Sequence, residues 1–326
     1  KENKNNLFVC KKYKDKRGRP FSILLPKAIK IFPETVGLIV GKGFISDRHI
    51  VFANSNEKAI NIVLSFFKQF NLSIQDYLEI KIKRIRLRDE FRNITAHGTL
   101  HISVCSSLVA KLLKQIIDSA KSQIEKNKSL SAGYLKGIIA AEGNINIKKS
   151  TNCVYMVRIS AAKSRERKHY KRCLKKIGIN VSCKDMPTIT PEDGINRGWR
   201  TTGGRAGAVI ISGWENFLKI LELNLLDINE DKKKKFIDYF KNNKFTKQFL
   251  SFSYFLNKNF TMKQAQDYFN FSGRYLDRVL TLYKQGYLNR KKLDRLRFVY
   301  RLSKNYTSIY DKLKQEGLAP HLNSFS

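Results

Sequence analysis

Two short segments, 100 positions apart, constrain this chain more than any other feature. The first reads Thr35-Val36-Gly37-Leu38-Ile39-Val40-Gly41-Lys42-Gly43, the second Leu135-Lys136-Gly137-Ile138-Ile139-Ala140-Ala141-Glu142-Gly143. Small residues recur every fourth position: Gly37 and Gly41 in one, Gly133, Gly137 and Ala141 in the other. Positions four apart share a helix face. Each segment therefore presents a stripe without bulk, along which a second helix backbone can approach closely. The natural partner of each stripe is the other.

The surroundings of the two segments repeat as well. Pro33 suits a first helical turn, Glu34 complements the positive dipole end, and Gly43 closes the helix. A hairpin is expected over 44–54, then a helix over 57–70 with Ile60, Val63, Leu64, Phe67 and Phe70 on one face. Apolar and basic residues alternate over 77–88, with a slip at Lys83-Arg84 that predicts a bulge. A strand over 100–105 and a helix over 108–124 follow. The order then recurs: helix 131–142, strands 144–149 and 154–161, helix 165–177, irregular strands within 181–202, strand 207–212 and helix 214–223. Both halves read α-β-β-α-β-β-α, which is a duplicated domain rather than a solenoid. Ahead of them, residues 1–19 are polar and basic and are expected to form a loose arm, and 21–29 an edge strand. The chain opens on Lys1 and not on Met, so the natural N-terminus is expected to lie upstream.

Past the repeats, the run Lys232 to Lys235 and the pair Asn242-Asn243 mark a boundary. Thr261 is placed to cap a helix, Asn270-Phe271-Ser272-Gly273 to turn, and 274–285 to form a second helix. Two strands over 287–302 flank Lys291 and Lys292. Helix, turn, helix, β-ribbon is the order of a winged helix.

Charge supplies the functional class. Lys and Arg number 63 against 27 Asp and Glu, a formal net charge of +36. Such an excess costs self-repulsion that a polyanion relieves, because Lys and Arg replace its condensed counterions. Five Cys, odd in number and without a C-x-x-C pair, indicate neither a disulfide framework nor a zinc site. Cys105 and Cys153 read as small core residues. The five His show no paired ligand spacing, and no apolar run is long enough to cross a bilayer. An intracellular setting (cytoplasm, nucleoid or organelle matrix) and no membrane partner are expected.

The paired segments resemble the LAGLIDADG motif, and the chain resembles a single-chain, two-repeat LAGLIDADG homing endonuclease. The second motif matches at Leu135, Gly137, Ile139, Ala141, Glu142 and Gly143, the first at Gly37, Leu38, Ile39 and Gly43. The likeness covers roughly residues 20–228. It implies an α+β fold of two pseudo-symmetric αββαββα repeats, whose saddle-shaped antiparallel sheets straddle duplex DNA. It also implies an acidic residue near the end of each motif helix, the two binding Mg²⁺ for phosphodiester hydrolysis. Two carboxylates at two negative helix ends repel each other and the DNA; a divalent cation reverses both penalties and activates water. This sequence departs from the pattern at one place. Glu142 stands where the second acid belongs, as catalytic and metal-binding residue, but Lys42 stands at the first. Lys42 is expected to pair with Glu142 and cripple the metal site, with Asp47, five residues on, as a candidate substitute ligand.

The expected organisation is an arm over 1–19, repeats over 20–128 and 129–230, and a winged-helix-like domain over 244–326. Nucleic-acid contacts fall to Lys81, Lys83, Arg84, Arg86 and Arg88 in the first repeat and to Lys148, Lys149, Arg158 and Lys163 in the second. Arg197, Arg200 and Arg205 lie in a Gly-rich stretch, and Arg274 and Arg278 on the recognition helix. Two functions fit: a metal-dependent endonuclease or nickase acting as a monomer on an extended double-stranded DNA site, or a non-catalytic binder. The second class includes intron maturase-like RNA binders and transcription regulators, since basic surfaces do not separate A-form from B-form helices by composition.

Overall fold

The computed structural model describes residues 2–3, 7–14, 20–26, 29–47, 49–69, 80–85, 99–105, 107–161, 163–185, 207–269, 276–294 and 297–318. The chain divides into two compact units, 1–146 with 155–234, and 147–154 with 235–326.

Two helices form the axis of the first unit: α1 (Pro33–Lys42) and a second, α4 (Lys128–Glu142). A methyl group on Gly37 would lie 2.1 Å from the Tyr134 carbonyl oxygen, and one on Gly137 2.2 Å from that of Glu34. The two glycines thus face each other backbone to backbone, and neither helix can yield. Further along, a side chain on Gly41 would meet the Ala141 methyl at 2.6 Å. Asn127 caps α4 by accepting from the Leu130 N–H at 3.1 Å. Both helices stop at a glycine in extended backbone, whose N–H still reaches the last turn: Gly43 to the Ile39 oxygen and Gly143 to the Ile139 oxygen. Each helix therefore passes into a strand without a loop.

The elements that follow α1 are β4 (Gly43–Ile45), β5 (His49–Asn54), α2 (Glu57–Phe67), β6 (Ile80–Ile85), β7 (Thr99–Cys105) and α3 (Ser107–Lys126). After α4 come β8 (Gly143–Lys148), β9 (Cys153–Ser160), α5 (Ser164–Lys176), β10 (Val181–Asp185), β11 (Gly207–Ile211) and α6 (Trp214–Glu222). The two antiparallel sheets run β4-β5-β7-β6 and β8-β9-β11-β10, the same order from the same α-β-β-α-β-β-α succession. Alternation in the strands buries one face. Ile50, Phe52 and Ile102 meet Val63, Phe66 and Phe67 in the first core; Ile145, Val157, Ile159, Val209 and Ile211 are their counterparts in the second.

A polar lock joins α3 to α5. Arg172 donates to both oxygens of Glu125 at 2.6 and 2.8 Å, and the buried His169 donates from Nδ1 to the same carboxylate. Burial pushes the His169 imidazole below its usual range, with Glu125 opposing, while the Arg172 guanidinium holds the Glu125 carboxyl low.

In the second unit a phenylalanine-rich core gathers α8 (Lys244–Ser251), a 3-10 turn (Phe252–Phe255), β12 (Asn259–Thr261), α9 (Met262–Phe269), α10 (Leu276–Lys284), β13 (Leu288–Lys292), β14 (Phe298–Leu302) and α11 (Lys304–Gln315). Its sheet runs β12-β14-β13. Phe249, Phe252, Phe260 and Tyr306 are fully buried, and the Tyr306 hydroxyl donates to the Phe249 carbonyl at 2.6 Å. Thr261 caps α9 reciprocally: its oxygen accepts from the Gln264 N–H and its N–H donates to the Gln264 side chain.

Three expectations need correction. The segment expected as a loose arm carries strands: β1 (Glu2–Asn3) and β2 (Leu7–Lys14), the latter pairing with the edge strand β3 (Pro20–Pro26). Four consecutive apolar residues, Leu7 to Cys10, outweigh the flanking lysines locally. β6 pairs with β7 in unbroken register through Lys83 and Arg84, so the slip in its pattern is no bulge. The lysine run, expected as a boundary, does contain the division between the two units at 234/235, and it lies within a helix, α7 (Glu230–Phe240), that buries Phe236 and Phe240. Cys153 is only half-buried. Among the described residues no helix is long and apolar enough to cross a membrane.

Gly37→Ala or Gly137→Ala should each destabilise the protein by about 2–3 kcal/mol, because each methyl meets backbone rather than a flexible side chain; chemical denaturation measures this. Stability should also fall as pH drops below about 6.5, because the unfolded chain takes up a proton that folded His169 resists. Thermal unfolding across that range should show the fall, smaller in His169→Asn.

Candidate functional site

The site grows from the ends of the two axial helices. Their last residues, Lys42 and Glu142, come together because the glycine contact further back sets the helices side by side. The Lys42 ammonium lies 3.2 Å from Glu142 Oε1; Lys42 is 48% exposed and Glu142 24%. The expected ion pair is thus present in the structure.

A third group completes the cluster. Lys232, on α7, donates from Nζ to the carbonyls of Ile139 at 2.9 Å and Ala140 at 2.7 Å. These carbonyls belong to the last turn of α4, and the Ile139 oxygen accepts from the Gly143 N–H as well. Asn229 fixes the start of α7 by accepting from the Lys232 N–H at 3.0 Å. Burial, with repulsion from Lys42, pushes the Lys232 ammonium down to about 8, and Glu142 opposes the fall. At neutral pH that leaves it mostly charged. Burial raises the hydroxyl of Tyr170, and the Glu142 charge is one of those that add to the rise.

Asp47 does not join this cluster. Its carboxylate takes a 2.7 Å bond from Lys114, which holds it below the usual carboxylate range. Among the described residues no three His, Cys, Asp or Glu side chains gather as a metal site would require. At the helix ends one carboxylate faces two ammonium groups, whereas Mg²⁺ asks for several oxygen ligands and no competing cation. The residues present do not fit a divalent metal.

Around the helix ends, the sheet faces turned from the core carry polar groups. In the second sheet Arg158 stands opposite Ile210, Ser160 opposite Ala208, and Ser182 and Lys184 continue the rows onto β10. Asn144 and Asn146 take the same face of β8. In the first sheet Phe44, 60% exposed, sits opposite Val51 and against the His49 ring. Lys163 is exposed at the start of α5. Lys148 and Lys149 are exposed too, but belong with 147–154 to the second unit. Lys81, Lys83 and Arg84 lie on β6, and Arg278 on α10. Arg86, Arg88, Arg197, Arg200, Arg205 and Arg274 lie outside the described residues.

In the second unit the Arg290 guanidinium rests between the rings of Tyr283 and Phe298, 4.5 and 4.3 Å from their centroids. Lys291 and Lys292 continue the strand, exposed, toward Leu293. Arg290, Lys184, Asn144 and Asn146 were not among the contacts expected from the sequence, since each stands outside the basic stretches it singled out. Lys232 was not among them either, yet it stands four residues before Phe236 and eight before Phe240, on the buried side of α7. That periodicity was the available signal.

No protein-family model matches the chain, and no curated protein matches it. Solved structures do. A structure of mesophilic variants of the homing endonuclease I-DmoI matches 60% of this chain and 96% of its own length, with 13% identity and a TM-score of 0.39. I-DmoI in complex with DNA and Mn matches 60% and 95%, with 13% identity and a TM-score of 0.38. I-DmoI with DNA and Ca matches 58% and 86%, with 14% identity and a TM-score of 0.36.

Millimolar Mg²⁺ should leave the melting temperature of the wild-type protein unchanged, and should raise that of Lys42→Asp, which places a second carboxylate beside Glu142. Differential scanning calorimetry with and without EDTA decides it.

Proposed function

We propose that the protein is a LAGLIDADG-type nucleic-acid-binding protein that grips an extended duplex DNA site as a monomer and does not hydrolyse it. The observation that carries this reading is the Lys42–Glu142 ion pair at the ends of two helices in backbone contact. Hydrolysis of the kind the resemblance implies needs carboxylates free to hold a divalent cation. Here the one carboxylate is already compensated.

Binding is supported by the charge of +36 and by the polar rows on the second sheet, Arg158, Lys184, Ser160, Ser182, Asn144 and Asn146. Cations on such a face neutralise phosphates, and asparagines there match the base-edge contacts that discriminate adenine. The second unit supports a further reading head. Its order α8, β12, α9, α10, β13, β14, with the sheet β12-β14-β13, supports the winged-helix reading, in which α10 would be the helix for the major groove. Arg290, stacked between two rings, is a cation with little conformational freedom left to lose on contact with a phosphate or guanine.

The test is selection of bound sequences from a random duplex library, with and without Mg²⁺, followed by mapping of strand ends. An enriched motif, equal in both conditions and with uncut strands, is the expected result. New ends that depend on Mg²⁺ and vanish in Glu142→Gln would establish an endonuclease instead. Preference for a structured RNA competitor over every duplex would move the protein to the RNA-binding class.

A further inference from the structure

The cluster at the helix ends contains more positive charge than an ion pair needs. Each helix C-terminus carries about half a negative charge, so α1 and α4 together present roughly one, and Glu142 adds another. A phosphodiester approaching that point would be repelled unless two positive charges stood there. In the structure two do, Lys42 and Lys232, carrying between them the charge of one divalent cation. Their placements differ. Lys232 is spent on the Ile139 and Ala140 carbonyls and is mostly buried, so its part is to cancel the α4 end. Lys42 is half exposed and bonded only through Glu142 among the described residues, so it can turn outward.

We infer that Lys42 and Lys232 form a metal-free seat for a DNA backbone phosphate, with Lys42 moving from Glu142 onto the phosphate while Lys232 keeps the α4 end neutral. The inference rests on the duplex-binding reading and extends it. The disagreement between these residues and a divalent metal becomes a substitution: two ammonium groups supply the charge, and neither can activate a water as a metal does. Lys232 reaches the site from α7, outside the two repeated successions of elements, so the seat belongs to the whole first unit rather than to the paired helices alone.

The experiment measures the affinity of the full chain for fluorescein-labelled mixed-sequence duplex DNA across a KCl series, in EDTA and in Mg²⁺. Wild type should gain nothing from Mg²⁺, which only competes with its lysines and arginines for the phosphates. Lys42→Met should bind about tenfold more weakly in EDTA, with a salt slope smaller by about one. Lys42→Arg should restore both, and Mg²⁺ should recover part of the Lys42→Met loss because the freed Glu142 can then share a cation with the phosphate. Circular dichroism establishes that each variant is folded, and Lys42 is exposed enough that loss of fold is not expected. A Lys42→Met protein that binds in EDTA with wild-type affinity and slope overturns the inference while leaving the duplex-binding reading intact. A wild type that binds no duplex overturns both.

Discussion

Everything in the first unit depends on one contact, the meeting of the α1 and α4 backbones at Gly37 and Gly137. At that distance no side chain fits between the helices, so the contact is held by dispersion over many close atom pairs and cannot relax by a rotamer change. It fixes the helices side by side over their length. Since each helix passes directly into the first strand of a sheet at Gly43 or Gly143, it also fixes where both sheets begin.

The same contact creates an electrostatic problem at the other end. Two parallel stripes of small residues bring two helix C-termini together, with their negative dipole ends and the Glu142 carboxylate. The structure resolves it with lysines rather than with an oxygen-bound metal: Lys42 from α1 itself and Lys232 from α7. Because both cations are covalently part of the chain, neutralisation at the helix ends needs no ion from solution. A bound metal would make it conditional on metal concentration, and would add a reactive water that ammonium groups cannot supply.

Much of this was legible in the residues. The small-residue stripes, the terminating glycines, the α-β-β-α-β-β-α order and the Lys42–Glu142 pairing all follow from local rules: four-residue periodicity, absence of Cβ, helix dipoles and alternation in strands. Thr261 as a cap was legible for the same reason. What was not legible came from competition between local signals. The lysine run 232–235 reads as a solvated boundary by composition, and only the phenylalanines that follow it reveal a buried helix face. The N-terminal lysines likewise hid a strand that pairs over Leu7 to Cys10.

By itself the sequence determined the two helices, the near-contact of their backbones and the opposite charges of Lys42 and Glu142 at their ends, because each is a property of a few adjacent residues. Tertiary structure alone decided which charge answers the exposed end of α4. Lys232 lies about ninety residues from Ile139 and Ala140 in sequence, and Asp47, much nearer to the site in sequence, is claimed by Lys114 instead. The reason is physical: the negative end of a helix takes whatever cation the packing brings to it, and no local pattern records which one that will be.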